Sequence, residues 1–235
     1  RKFNKDMPSI VYYKGLEMFD NDKWTQLTEL WISGKFADCE ERGNFIDPIF
    51  AVQTDQNYPN RWNIAPSQTS LTITCDNETE FRLNTQDIFG VWQSGLGKRI
   101  INARSETIAE KPMFKEAFKY QRCLILASGW FEWDALKTPY FISLRDNRVM
   151  AFAGLRFKEG SDNSFVIVTS AAKGELAQLH HRTPLLLQRK FWPIWLGSSH
   201  QIPVECLTSP QSHFFNWHKV SSKVGNVAND NADLL

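Results

Sequence analysis

Cysteine is scarce and scattered in this chain of 235 residues: Cys39, Cys75, Cys123 and Cys206 include no CxxC pair. That spacing argues against a zinc ribbon or a dithiol redox motif, and it predicts free thiols and no bound metal. Long apolar runs are lacking too. No stretch approaches the roughly 20 residues that cross a bilayer, and the N-terminal residues lack the apolar core of a secretion signal, so a soluble intracellular protein without a membrane partner is expected. Net charge is almost absent, with 27 basic against 26 acidic side chains. The molecule as a whole therefore does not attract polyanions, and any nucleic-acid binding must come from local asymmetry. One asymmetry lies in residues 97–122, where Lys98, Arg99, Arg104, Lys111, Lys115, Lys119 and Arg122 outnumber Glu106, Glu110 and Glu116. An ordinary solvated face carries the same pattern.

What the chain has in plenty is aromatic side chains, 17 Phe and 9 Trp, which suit a β-rich core or a surface on which flat groups stack. Trp24, Leu27, Leu30 and Trp31 recur at helical spacing after an acidic cluster and predict a short amphipathic helix. Alternation in residues 69–75 and 80–83 around Asp76, Asn77 and Glu78 predicts a hairpin, and a second is expected between residues 140–144 and 149–153, turning at Asp146 and Asn147. Residues 122–127 and 165–169 are nearly continuous apolar runs, the pattern of central strands buried on both faces. Pro112 can open a helix with Met113, Phe114, Ala117 and Phe118 inward, and residues 171–179 and 188–196 also read as helical. Strands outnumber helices without a βαβ rhythm, so the expected class is α+β, a mainly antiparallel core flanked by short helices.

Three segments concentrate polar groups in apolar surroundings: residues 101–107, 129–133 and 179–184. Glu132 sits between Trp130 and Trp133 just beyond a buried-looking strand, where desolvation favours a protonated carboxyl able to trade protons near neutrality. The plainer reading is a structural ion pair with Arg104 or Arg182. His180 and His181 are adjacent and so do not naturally share a direction, and a lone histidine is more often packing than catalyst. Asn102 and Arg104, two apart, would share a strand face and could present an amide and a guanidinium to one phosphate or carbonyl.

Arg61-Trp62-Asn63-Ile64-Ala65-Pro66 resembles the RYNxAP motif of the SRAP family, the SOS-response-associated peptidases that capture abasic sites in single-stranded DNA. Ile101 to Thr107 resembles its INARxET motif, Gly129 to Trp133 is identical to GWFEW, His180 to Pro184 resembles HxRxP, and Trp217 to Asn226 resembles WHxVSxxVxN. The matches occur in family order from about Ile32 to the C-terminus. The resemblance implies a barrel-like SRAP fold, with residues 1–32 an N-terminal extension or propeptide and residues 33–235 the SRAP domain. It also implies a monomer without cofactor whose partner is single-stranded or junction DNA in the DNA damage response.

In that family an N-terminal cysteine closes a thiazolidine on the open-chain sugar aldehyde, which needs an α-amine and a thiolate on one residue. By resemblance Asn102 positions the sugar, Glu132 is the acid/base carboxylate, His180 assists ring opening and Arg104 meets a phosphate. Lys35, Arg61, Asn63, Trp92 and His218 are implied as further DNA contacts. Ser33-Gly34-Lys35-Phe36 is the counterpart of the family's Cys-Gly-Arg-Phe, so a serine stands where the nucleophile belongs; Cys39 lacks the following glycine and aromatic. A hydroxyl is a far poorer nucleophile than a thiol, and the nitrogen of Ser33 is an amide while residues 1–32 remain attached. DNA binding without a lasting covalent bond is thus expected. The alternatives are an active, self-processing cross-linker exposing Ser33, or a degenerate paralogue acting through protein partners.

Overall fold

The computed structural model describes residues 9–12, 61–76, 80–146, 149–197 and 201–235. Ser33, Lys35, Cys39 and the helix expected from Trp24 to Trp31 lie outside the described residues. In chain order the elements are β1 (Ser9–Tyr12), β2 (Arg61–Ile64), β3 (Thr69–Asp76), β4 (Glu80–Phe89), β5 (Val91–Gln93), β6 (Lys98–Ile100), β7 (Asn102–Arg104), α1 (Pro112–Tyr120), β8 (Arg122–Ala127) and β9 (Gly129–Trp133). There follow β10 (Pro139–Leu144), β11 (Met150–Glu159), β12 (Asp162–Ala171), α2 (Leu176–Leu179), β13 (Arg182–Pro184), α3 (Trp192–Leu196) and β14 (Phe215–Lys219).

The strands β11-β8-β3-β4-β12 form a ring that closes because β11 also pairs with β12. Closure removes the open edges that a flat sheet would expose. Within the ring β4 and β12 run parallel and the other pairs antiparallel, so the class is α+β with a mainly antiparallel core, as the sequence predicts, closed into the barrel-like form that the resemblance implies and mixed through one parallel pair. A second, antiparallel sheet has the order β14-β10-β9-β1-β2. The continuous apolar run of β8 is explained by its position: all six residues are buried, with ring strands on either side and α1 and α3 packed over it.

Arg122 opens that strand and is itself buried. Its guanidinium donates to the Phe118 and Lys119 carbonyls at the end of α1, at 2.6 and 2.9 Å, to the Trp195 carbonyl at the end of α3, at 2.5 Å, and to the Gly197 carbonyl. One cation thus satisfies the orphan carbonyls of two helix C-termini, and it drops out of the basic surface run. Helix α1 forms as expected, with Phe114, Ala117 and Phe118 inward.

Two local expectations need correction. Residues 139–144 and 150–159 are strands but not a hairpin: β10 pairs with β9 and β14, β11 with β8 and β12. Both edges of β10 are already occupied, and the chain between the two strands crosses from one sheet to the other. The true hairpin joins β9 to β10 through residues 134–138, closed by Thr138 N–H donating to Asp134 Oδ1 at 2.8 Å, with Lys137 at φ 64. In residues 171–179 only Leu176–Leu179 is helical, because Ala171 still pairs with Arg182 and Gly174 adopts φ 57. The hairpin at residues 69–83 and the helical turns in residues 189–196 form as expected.

Candidate functional site

Strand periodicity buries the carboxylate of Glu132. Trp130 points into the main core, edge-on to Phe152 and Phe215 at ring distances of 5.8 and 5.5 Å. Two residues on, Glu132 shares that face and is only 4% exposed, whereas Phe131 between them joins a smaller cluster with Phe141, Val224 and Leu234. Of the two charge partners expected from sequence, Arg104 makes no ion pair among the described residues and Arg182 pairs elsewhere. The Nδ1 of His180 lies 3.5 Å from Glu132 Oε2 and 2.9 Å from the Arg182 carbonyl. Nδ1 also lies 3.3 Å from the Arg182 backbone N–H, so each ring tautomer finds a partner in this loop.

Arg182 instead clamps Glu106 through two hydrogen bonds, 2.6 and 3.0 Å, and reaches the Thr169 hydroxyl at 3.1 Å and its carbonyl at 2.5 Å. The hydrogen bonds from Arg182 hold the Glu106 carboxyl below the usual carboxylate range. The pair therefore persists in mild acid, and whatever it contributes is lost only as pH falls through that lowered value.

The parallel register of β7 on β12 sets Asn102 beside Ile167 and Arg104 beside Thr169, while β13 on the opposite edge sets Arg182 beside Ala171. Asn102, Arg104, Thr169 and Arg182 consequently share one face. The Arg104 side chain is exposed, with no hydrogen bond or ion pair to any described residue. Asn102 Oδ1, Thr107 Oγ1 and Arg182 Nε are buried without a hydrogen-bond partner among the described residues. Such orphans cost about 1–3 kcal/mol each, and three of them come from the two motif segments that flank β12.

Between β4 and β7 the chain leaves the edge of β12 and returns, forming a finger of β5 and β6. Gly90 starts the detour at φ 90, where a Cβ would meet Ile101 Cγ2 at 2.9 Å. Trp92 stands on the finger, 53% exposed and opposite Arg99, whose guanidinium bonds the Gly90 carbonyl and lies 3.3 Å from Glu159.

The remaining sequence-predicted residues are placed elsewhere. His218 pairs with Phe141, which pairs with Phe131, so it lies on the face of its sheet opposite Glu132. Asn63 is fully buried, its amide donating to the Val224 and Asn229 carbonyls at 3.0 and 3.1 Å, and Arg61 bonds Asp230. Asp230 also accepts from the backbone N–H of Trp62 and Asn63, at 2.5 and 3.0 Å. Asp230→Ala should cost about 1–3 kcal/mol in urea unfolding by leaving those donors without an acceptor. Sequence reading missed this anchor and the Glu106–Arg182 clamp. Only the clamp had a signal, since both residues lie within the motifs.

Among the described residues no group of three or more His, Cys, Asp or Glu could hold a metal ion, and no helix is long and apolar enough to cross a membrane. Cys123 and Cys206 are buried, and burial pushes both thiols up, with Asp87 adding to the effect at Cys123 and Glu205 at Cys206. Neither supplies a thiolate at neutral pH.

The closed mixed barrel thus carries a buried Glu132 that meets a half-buried His180, together with an Asn–Arg strand face. The family model for SOS response associated peptidase (SRAP) matches residues 32–227, and the chain belongs to that family. It is 30% identical over 224 residues to the abasic site processing protein YedK of Escherichia coli, covering 86% of this chain and 98% of YedK. It is 31% identical over 220 residues to the abasic site processing protein YoqW of Bacillus subtilis, again 86% of this chain and 98% of the relative. A crystal structure of a phage-related protein from Bordetella bronchiseptica shares the fold, with TM-score 0.62 and 23% identity over 91% of this chain and 94% of that one.

Proposed function

We propose that the chain binds single-stranded DNA at abasic sites and holds it without a lasting covalent bond. The observation that carries this reading is the strand face shared by Asn102, Arg104 and Arg182, the last of them two residues along from the His180 that meets Glu132, with Arg104 left exposed and without an ion pair among the described residues. A free guanidinium there meets a backbone phosphate. The Asn102 amide meets the sugar, and the pair of buried Glu132 and half-buried His180 can trade a proton with its ring oxygen. Trp92 on the finger offers a flat surface for a base. The family match begins at residue 32, which supports aligning Ser33 with the family's nucleophile. A hydroxyl beside an amide nitrogen forms neither a Schiff base nor a stable ring on the aldehyde.

Anisotropy titrations of abasic and intact oligonucleotides across a salt series test this directly. Affinity should fall steeply with salt, and Arg104→Ala should weaken binding about tenfold and reduce the salt slope by about 0.7. Salt-insensitive binding, or an unchanged slope in the variant, would contradict the reading. Retention of Asn102, Glu132 and His180 favours one second reading, in which residues 1–32 are removed and the Ser33 amine becomes available. Intact mass after expression separates the two.

A further inference from the structure

Ser9, Ile10 and Val11 pair antiparallel with Phe131, Trp130 and Gly129, while Ile10 and Tyr12 pair with Ile64 and Arg61. Strand β1 is therefore interior to its sheet, bonded along both edges, and it is the only described strand that joins β2 to that sheet. Its sequence, Ser-Ile-Val-Tyr, has the β-branched and aromatic character of such a position. Yet β1 precedes the family match, which starts at residue 32. Its register also has a direction: Ser9, the first residue, stands opposite Phe131, so the N-terminal end of β1 is directed toward the Glu132 end of β9.

We propose that the slot between β2 and β9 is a peptide-binding site that this chain fills with its own residues 9–12, a donated strand that survives cutting of the chain behind it. Main-chain hydrogen bonds along two edges supply the affinity, as in other strand additions. They also cover edges that would otherwise pair with other chains. Removal of residues 1–32 from the polypeptide is then not their removal from the molecule. The severed segment stays in the sheet with Ser9 opposite Phe131, one residue from Glu132. This inference does not depend on the DNA-binding reading.

The test inserts a single protease site after Asp22 of the full chain and cuts the folded protein. The fragment containing residues 1–22 should co-elute with the remainder in gel filtration and separate only in denaturant. With Ile10→Pro, which removes a backbone donor from an interior strand, the cut fragment should elute alone. A wild-type fragment that elutes alone, or a proline variant that stays bound, would overturn the proposal. Hydrogen exchange on the uncut protein adds a reading independent of the cut. The β9 amides that face β1 should exchange as slowly as those of β8, and exchange at the rate of an open edge would likewise overturn it.

Discussion

Asp87→Ala should lower the free energy of unfolding by about 3 kcal/mol, the lower end of the range for breaking a buried ion pair, because the Arg156 side chain keeps some access to water. Asp87 is 2% exposed and accepts from Arg156 Nε and Nη2, each at 2.8 Å, and from the Thr72 hydroxyl at 2.5 Å. Those three residues stand on β4, β11 and β3, so the cluster links strands that are not all neighbours in the ring. The loss comes mainly from the Arg156 guanidinium left without its carboxylate, and pairing Asp87→Ala with Arg156→Met should recover part of it. Urea midpoints measure the change, with an unaltered slope showing that the unfolded surface is the same. Cys123 gives a second readout. Its buried thiol should resist labelling in the native protein and become reactive in Asp87→Ala in proportion to the opened population. A loss under 1 kcal/mol would mean that water already solvates the pair.

Gly129→Ala should cost on the order of 3 kcal/mol or more, at the upper end of overpacking penalties. A Cβ at residue 129 would lie 2.6 Å from the Ile142 carbonyl oxygen and overlap the ring of Phe141. The carbonyl cannot retreat without opening the ladder between β9 and β10, in which Trp130 pairs with Ile142. Because β9 carries Glu132, the same substitution should weaken binding to abasic DNA even where the variant folds at low temperature. Thermal unfolding checks the first effect and anisotropy the second. A variant with wild-type stability would show that the glycine serves the site alone.

How much of this was legible in the sequence depended on the range of the contact. Strand β8 and helix α1 could be read because their burial follows local apolar period, and the hairpin at Asp76 because a turn cluster interrupts alternation. The exchange of sheets after β10 could not be read, because the local pattern of residues 140–153 is that of a hairpin; what prevents pairing is the prior claim of β9 and β14 on β10. The Glu132–His180 approach follows from no spacing rule, and family motifs, not residue chemistry, brought the two together. Asp230 gave no signal at all: an acidic residue near the C-terminus is ordinary, and its role exists only because β2 lies against it. The Arg182 alternative for Glu132 failed because Glu106, from a different motif, offers both carboxylate oxygens to the guanidinium.

The most direct test is one mixture of the purified chain with a single-stranded oligonucleotide bearing one abasic site, divided and run on a native gel and, after heating in detergent, on a denaturing one. A retarded band that vanishes on heating is the result expected on the proposed reading, in which Ser33 takes the place of the nucleophilic cysteine and its nitrogen is still an amide. A band that survives heating, mapped by mass spectrometry to Ser33 or Cys39, would contradict it.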